Sequence, residues 1–540
     1  MKSDSVLIGK NIIEILTTGM YHNPLVIFRE YVQNSIDAIN EAVRREILCD
    51  ISEGDVQIKI DREKRLIVFE DNGIGLPSDD AWTALTSIAL SKKDRTKNLG
   101  FRGIGRLAGL AYCDKLIIET SYKGEPKKFI LQWDGLKLKD IIGDSKDRKL
   151  ASDVIKEITS FEDNLSERES VHYFKVFLHN VKNEKLLDSK SVEKYLRMVS
   201  PVQFYNLRFL FTTEVKKGLA DRGVLCDGYR IFVNTTELYK SYHNNIYREN
   251  KKQKKRIDEV IDIQFFELHT TDNQLLAVGW YSLTKLMQLI PVFNEAWGIR
   301  FRKGNIQVGD EFTLQRFFRD NRFHRYFFGE IHVVHDELFP NGQRDYFDEC
   351  ELLSEFENEL QKLTDMLSNI CRKASDWNRE EKKVEEYDNE INIFEKTLKK
   401  QDFLSPEHEE EEKLKLEDLK KKAEDAKKAL KKIENYAQDN NDLKRFIDYR
   451  QNNKPEKKEE TTEKIESEKE LKNKGKKYKA NKLSRLNKKE QKLIGEIYEI
   501  IRTVLSPDLQ KVLIYKIEEK FGIENSEQNF KKKTSATCRT

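Results

Sequence analysis

The segment from Phe28 to Ala38 constrains this chain more than any other. Glu30, Asn34 and Asp37 are spaced i, i+4, i+7, so a helix would place all three on one face. An apolar stripe on a different face would be formed by Val32, Ile36 and Ile39. Such a helix packs against a core on one side and presents oxygen ligands on the other. Oxygen ligands suit a hard cation such as Mg²⁺, which commonly accompanies a nucleotide phosphate. A solvated helix face with scattered charge is the alternative.

A predicted β-hairpin follows, with strands at residues 56–61 and 66–69 joined by a turn at residues 62–64. Directly after it comes Asp71, followed by Asn72, Gly73, Ile74 and Gly75. A carboxylate at a strand end can accept a hydrogen bond from an exocyclic amino group, such as that of adenine. The two glycines allow the backbone to pass close to a flat ligand. An ordinary Asp-Asn-Gly turn would have the same composition.

A second glycine-rich segment runs from Gly100 through Phe101, Arg102, Gly103 and Ile104 to Gly105. A glycine-rich turn that opens a helix presents free N–H groups and the positive end of the helix dipole to an anion. The segment is not a Walker A loop, because no Gly-Lys-Ser/Thr follows it.

Taken in order, the three segments resemble the N-box and the two glycine boxes of the GHKL ATPase superfamily, which includes DNA gyrase B, heat-shock-ninety chaperones, sensor histidine kinases, MutL and MORC proteins. The mixture looks closest to the chaperones and MutL. The resemblance covers residues 1–180 and implies an α+β protein that begins with a Bergerat-type α/β sandwich, in which helices cover one face of a mostly antiparallel sheet.

The resemblance also implies roles for single residues, with ATP and Mg²⁺ as cofactors. Glu30 would be the general base that orients the attacking water, a residue that the hydrolases of the superfamily keep. Asn34 would coordinate Mg²⁺, Asp37 would line the nucleotide pocket, and Asp71 would read the adenine amino group. Gly73 and Gly75 would admit the base. A lid at residues 77–102 and the phosphate contacts would involve Gly100, Arg102, Gly103 and Gly105.

One departure from the family pattern concerns the third box, which usually carries Gly-Thr before the last strand of the domain. The corresponding residues here run from Glu169 to Tyr173, and Ser170 is the one candidate for the missing hydroxyl near adenine.

Residues 181–350 read as a second α/β domain, a transducer. A helix is predicted at residues 192–199, strands at 207–211, 229–233, 261–268 and 275–281, and a hairpin at 298–309. Asn341 and Arg344 keep the spacing of a chaperone loop that sends a cation toward the γ-phosphate. Arg344 is the candidate for this catalytic cation, with Lys303 and Arg302 in reserve. A surface arginine paired with Asp345 or Asp348 is the alternative.

The remaining chain is expected to be helical and charged. Apolar steps of 3 and 4 residues in 351–450 predict an antiparallel coiled-coil hairpin with a turn at Ser405-Pro406, and a parallel dimer is the alternative. Residues 451–481 read as a disordered charged linker, and 482–540 as a small helical segment. The basic run from Lys472 to Lys489 could contact nucleic acid.

Composition restricts the setting in which the protein works. No stretch approaches the roughly 18 apolar residues of a membrane span. The six cysteines form no Cys-x-x-Cys pair, which predicts a reduced, cytoplasmic protein without structural zinc. The sequence therefore predicts a homodimeric GHKL ATPase that acts on an unknown protein client as a chaperone-like clamp. A DNA-associated clamp in repair or antiviral defence, and a nucleotide-gated scaffold with little hydrolysis, are the alternatives.

Overall fold

The computed structural model describes residues 7–19, 23–87, 105–144, 146–250, 253–399, 406–453, 488–505 and 507–520. Its contacts divide the chain into two compact units, residues 1–374 and 375–540. The first unit contains both β-sheets, and the secondary structure described for the second consists of helices joined by short turns. The prediction of a mixed α/β protein with a helical C-terminal region is confirmed.

The first sheet has eight strands in the order β5-β4-β3-β6-β2-β1-β7-β8. Every neighbouring pair is antiparallel except β1 and β7, which are parallel. Its strands are β1 (Asp55–Asp61), β2 (Leu66–Asp71), β3 (Lys115–Ser121), β4 (Lys127–Asp134), β5 (Thr159–Ser166), β6 (Tyr173–His179), β7 (Arg230–Val233) and β8 (Thr236–Glu237). The hairpin predicted after the central helix is β1–β2, and its register runs from Val56↔Asp71 to Asp61↔Leu66.

The second sheet has six strands in the order β13-β12-β14-β11-β10-β9. Its strands are β9 (Asn245–Asn250), β10 (Gln253–His269), β11 (Leu275–Thr284), β12 (Gly298–Lys303), β13 (Ile306–Val308) and β14 (Phe328–Val333). The hairpin predicted at residues 298–309 is β12–β13, and Asn305 at its turn has a φ of 60°. A left-handed φ of this kind is tolerated by Asn better than by most residues.

Helices cover the sheets and form the second unit. Those of the first unit are α1 (Asn11–Glu14), α2 (Val26–Arg44), α3 (Ser78–Thr86), α4 (Gly135–Gly143), α5 (Ala151–Ile158), α6 (Ser189–Val199) and α7 (Thr212–Ala220), followed by the start of α8 (Glu351–Lys399). The second unit holds the rest of α8 together with α9 (Pro406–Ala437), α10 (Asn441–Asn452), α11 (Lys488–Val504) and α12 (Pro507–Lys520).

Helix α2 is the centre of the first core. Its predicted apolar stripe is buried, because Val32, Ile36 and Ile39 are each at most 1% exposed. Tyr31 packs on Phe69 of β2 with ring centroids 4.5 Å apart. Burial of three large aliphatic side chains contributes on the order of 1.5–3 kcal/mol each, so the helix is fixed firmly against the sheet.

The strand predicted at residues 207–211 is wrong. These residues form a turn that leads into α7, with Leu207 82% and Leu210 72% exposed while Phe209 is fully buried. A short apolar run does not by itself distinguish a strand from other structure.

In the second unit, α8 and α9 lie antiparallel. Asp388 pairs with Lys427 at 3.0 Å and Glu395 pairs with Lys420 at 2.8 Å. Residue numbers therefore increase along α8 in the direction in which they decrease along α9. Residues 454–487, which hold most of the predicted linker and basic run, lie outside the described residues. None of the helices in the described ranges has the length and apolar content that crossing a bilayer requires.

Candidate functional site

The acidic face predicted for α2 is largely buried. Glu30 and Asp37 are each 5% exposed, and Asn34 between them is half-buried. Tyr229, directly before β7, lies beside the same helix and donates its hydroxyl to Asn40 Oδ1 at 2.7 Å. Carboxylates are seldom buried unless they are paired or bind a cation. The arrangement therefore favours a ligand-facing or paired role over a solvated surface.

The loop after β2 is fastened to α2. Ile74 donates its backbone N–H to the carbonyl of Ala38 at 3.1 Å, one residue beyond Asp37. Asp71, 3% exposed, accepts the N–H of Gly73 at 3.0 Å. The carbonyl of Gly73 lies 2.8 Å from His172 Nδ1. The structure thus fixes the loop that follows Asp71 against α2 directly beside Asp37.

The two glycines of this loop are needed by the protein's own packing. A Cβ on Gly73 would lie 2.6 Å from Ala38 Cβ. Gly75 has a φ of 69°, and its Cβ would lie 2.0 Å from the carbonyl oxygen of Ser121. Only glycine fits at this approach to β3, and contact of either glycine with a ligand stays a prediction.

Thr120 is the site residue that sequence reasoning missed. It lies in register with Asp71 through Phe174 of the intervening strand β6. Its hydroxyl accepts the N–H of Leu76 at 2.9 Å and donates to the carbonyl of Tyr173 at 3.0 Å. Ser170, which the sequence offered as the hydroxyl of the third box, is exposed in the turn before β6. Thr120 is identified by the register of β3 and β6, and no local sequence motif indicates that register.

The second glycine segment is described only from Gly105, where a short 3₁₀ helix begins that ends at Ala111. Gly109 in this helix passes α2 so closely that a Cβ there would lie 2.5 Å from the Tyr31 hydroxyl. Gly100, Arg102 and Gly103 lie outside the described residues. Their phosphate contacts therefore stay predictions.

Arg344 reaches the site from the second half of the unit. Its Nε lies 3.2 Å from Glu30 Oε1, and the two side chains are 11% and 6% exposed. Arg344 has a φ of 57°, in the left-handed region that costs a residue with a Cβ about 1–2 kcal/mol. Its backbone is held by N–H donation to the Asn341 carbonyl at 3.1 Å and by acceptance from Gly309 at 2.9 Å. Asn341 and Asp345 exchange two further hydrogen bonds that close the turn.

A second arginine, Arg29 of α2, joins the same contact. It donates to the carbonyl of Gln343, 314 residues later in the chain, at 3.3 Å and lies 3.4 Å from Glu30. Burial raises the pKa of Tyr195 on α6. The phenol of Tyr195 also interacts electrostatically with Arg29, Glu30 and Arg344. Two guanidinium groups therefore flank one buried carboxylate.

Arg302 and Lys303, the reserve candidates for the catalytic cation, bind other groups of the protein. Arg302 is fully buried, pairs with Glu330 and donates to the carbonyls of Asn305 and Met198 at 2.9 and 2.8 Å. Lys303 donates to the carbonyl of His335 at 2.6 Å, and burial lowers its pKa to about 8. Lys303 thus fastens the start of the segment that carries Arg344.

Cys226, Glu330 and His332 bring their ligand atoms within 4.8 Å of one another. The Glu330 carboxylate, however, already binds Lys240 at 2.7 Å and the Arg302 guanidinium. A metal ion would have to displace two buried cations, so this cluster is a structural ion network.

The donor set on α2 and β2 fits a magnesium nucleotide. The half-buried Asn34 offers a neutral oxygen, the buried Asp71 offers a carboxylate at the strand end, and Arg344 supplies a cation beside Glu30. Mg²⁺ is commonly held by one or two protein oxygens together with substrate phosphates and water. These groups could therefore hold a base at one end and a phosphate at the other.

Comparison with known proteins identifies a family for part of the first unit. Residues 22–164 match the family described as histidine kinase-, DNA gyrase B-, and HSP90-like ATPase. Curated relatives include the chaperone protein HtpG of Burkholderia cenocepacia, 30% identical over 143 residues, which are 23% of this chain and 22% of the relative. Another is HtpG of Rickettsia rickettsii, 26% identical over 174 residues, which are 29% of this chain and 28% of the relative.

The chain thus spans less than a third of the length of the relatives it matches. The matched segment contains α2, the β1–β2 hairpin, Asp71 and Gly105. By its motifs and its sheet, the segment from residue 22 to residue 164 belongs to the GHKL family of ATPase domains.

Proposed function

We propose that this protein binds ATP with Mg²⁺ and hydrolyses it, and that nucleotide binding controls the contact between its two α/β parts. The ion pair between Glu30 and Arg344 is the observation that carries the proposal. This ion pair joins α2, which carries the proposed base, to a loop more than 300 residues later in the chain. Both side chains are largely buried. The family match over residues 22–164 supports ATP as the ligand.

Each residue has a distinct task in this proposal. Asp71 accepts from the adenine amino group, Asn34 holds the magnesium ion, and Asp37 orders water beside it. Magnesium supplies charge neutralisation at the phosphates. Glu30 orients a water molecule and accepts its proton. Arg344 stabilises the negative charge that develops on the transferred phosphoryl group.

The position of Arg344 couples this chemistry to conformation. Its loop is fastened to β12–β14 through Gly309 and Lys303, whereas its side chain meets α2. A γ-phosphate bound next to Glu30 would attract the same guanidinium. ATP would then favour the closed arrangement by its differential contacts, and hydrolysis would weaken it.

We further propose a chaperone-like homodimer that acts on a protein client. The support is the printed name of the curated relatives, chaperone protein HtpG. Light scattering with and without a non-hydrolysable ATP analogue measures the oligomeric state directly. A monomer at all protein concentrations, with and without the analogue, would remove the dimer from the proposal and leave the ATPase intact.

The hydrolysis itself is tested by Glu30→Ala. A missing general base lowers turnover by about 10²–10⁴-fold, so phosphate release by the variant should be close to background while binding of ATP, measured by calorimetry, persists. Glu41→Ala, on the same helix but part of an exposed ion pair with Arg45, is the matched control. Equal turnover in the parent and in Glu30→Ala would refute the assigned base. Slow turnover that Glu30→Ala leaves unchanged would instead favour a nucleotide-gated scaffold.

A further inference from the structure

A cavity lies in the first unit, formed by residues that take no part in the site on α2. Its volume is about 380 Å³, and it lies among α6, the segment before α7, the segment between β8 and β9, β9–β10 and the segment before β12. This volume is in the range of small-ligand sites, which is about 300–1,000 Å³.

Two exposed cations of the cavity lining each lie over an aromatic ring. The guanidinium of Arg208 lies 5.0 Å from the ring centroid of Tyr205, and the ammonium of Lys254 lies 4.6 Å from that of Tyr247. Within the described ranges, neither cation has a carboxylate oxygen within 4.0 Å. Both are therefore available to an anion, and both leave an aromatic surface beside it.

The acidic residues of the lining accept hydrogen bonds from hydroxyl groups. Glu295 accepts from Ser241 at 2.7 Å, and donation of the Tyr239 hydroxyl to Glu237 raises the pKa of Tyr239. Burial, and after it the charges of Arg208 and Lys254, lowers the pKa of His243, which also lines the cavity.

The sequence around the hairpin β9–β10 is rich in basic residues. Between positions 248 and 256 the only acidic residue is Glu249, and the basic residues are Arg248, Lys251, Lys252, Lys254, Lys255 and Arg256. Interleaved aromatic and basic side chains are typical of surfaces that bind single-stranded nucleic acid, where bases stack on rings and phosphates meet cations. A cavity of this size can admit a single unstacked base.

We propose that this cavity binds a nucleotide unit of single-stranded nucleic acid, with its phosphate at Arg208 and Lys254 and its base on Tyr205 or Tyr247. The proposal is independent of ATP hydrolysis at Glu30, since the two sites share no residue. It also differs from binding through the basic run at Lys472–Lys489, because it places the contact in the first unit.

The test is fluorescence anisotropy of a labelled oligothymidylate with the full chain, which avoids the adenine preference expected of Asp71. The double variant Arg208→Ala/Lys254→Ala should bind at least about tenfold more weakly at low salt, with a salt slope reduced by about 1.4 for two lost phosphate contacts. Tyr205→Leu, which keeps an apolar side chain but removes the ring, should weaken binding by about fivefold or more.

Lys194→Ala/Lys217→Ala is the matched control, because both lysines are exposed, lie outside the cavity and remove the same charge. This control should bind within about twofold of the parent. Thymidine monophosphate and inorganic polyphosphate serve as competitors. Competition by the monophosphate as effective as that by the oligomer would support the pocket and identify a free nucleotide as its ligand.

Three results would overturn the proposal. One is no saturable binding of the oligomer by the parent. Another is a loss in the control pair as large as that in the cavity pair, or no loss in the cavity pair, which would place the contact elsewhere in the chain. The third is an unchanged affinity of Tyr205→Leu together with full competition by polyphosphate, which would reduce the site to unspecific charge attraction.

Discussion

Glu30 and Arg344 meet across the first unit at 3.2 Å, in a contact that buries both side chains. The carboxylate projects from the second turn of α2, which packs on the first sheet, and the guanidinium projects from a loop that continues from the second sheet. Removal of one partner from a buried ion pair usually costs several kcal/mol, because the other charge loses its compensation. This one contact can therefore link the chemistry of the nucleotide site to the arrangement of the two sheets.

Arg344→Ala should lower ATP turnover by at least about tenfold and up to the 10³-fold typical of finger arginines, whereas Glu30 remains in place. Arg319→Ala, which removes an exposed arginine paired with Asp365 at 3.2 Å, is the control and should retain parental turnover. Steady-state phosphate release measures both. Parental turnover in Arg344→Ala would confine this arginine to a structural role.

Gly75→Ala should destabilise the fold, because its Cβ would lie 2.0 Å from the Ser121 carbonyl oxygen in addition to the strain of φ 69°. Gly124→Ala separates the two effects. Gly124 also has a positive φ, 92°, but no atom lies within 4 Å of its Cβ, so that substitution should cost only the backbone term of about 1–2 kcal/mol. Denaturant unfolding should show Gly75→Ala as the less stable by a further 2 kcal/mol or so. Equal losses would mean that the loop moves away from β3 easily.

Acid should destabilise the first unit through His324. Burial lowers the pKa of His324 to about 3, and its Nε2 accepts the backbone N–H of Ile299 at 2.9 Å. The unfolded side chain titrates near 6.5, so the unfolded chain binds one more proton between these two pH values. The free energy of unfolding therefore falls as the pH falls below about 6.5, by up to about 1.4 kcal/mol per pH unit.

His324→Gln keeps an acceptor for Ile299 but cannot take up this proton. Urea unfolding between pH 6 and 4 or so should show its pH slope smaller than that of the parent by about one proton. Identical slopes would indicate that His324 is protonated in the folded protein.

Helices and hairpins, whose residues are close together in sequence, could be predicted. Contacts between residues far apart in sequence could not. The α2 helix, the β1–β2 hairpin and the β12–β13 hairpin follow from periodicity and turn residues close together in sequence. Thr120 lies in register with Asp71 only because β6 pairs with both β2 and β3. The contact of Arg344 with Glu30 could be anticipated only from family resemblance, since no local pattern links residues so far apart.

The failed strand at residues 207–211 shows the same limit. The run Leu207–Phe211 is mostly apolar, yet only Phe209 enters the core as an aromatic anchor near Trp280, with ring centroids 5.9 Å apart. Whether an apolar residue is buried depends on the elements that fold against it. Leu207 and Leu210 have no such element within the described ranges and remain exposed.

The assignment of an adenine nucleotide to the α2 site is tested most directly by calorimetric titration of magnesium ATP into the parent and into Asp71→Asn. The account predicts saturable one-site binding by the parent and a dissociation constant raised by about tenfold or more in the variant, because loss of a charge-assisted hydrogen bond costs about 1.5–3 kcal/mol. Asp61→Asn, at the half-buried last position of β1, should bind like the parent. Equal affinity of the parent and Asp71→Asn, or no heat from either, would contradict the assignment.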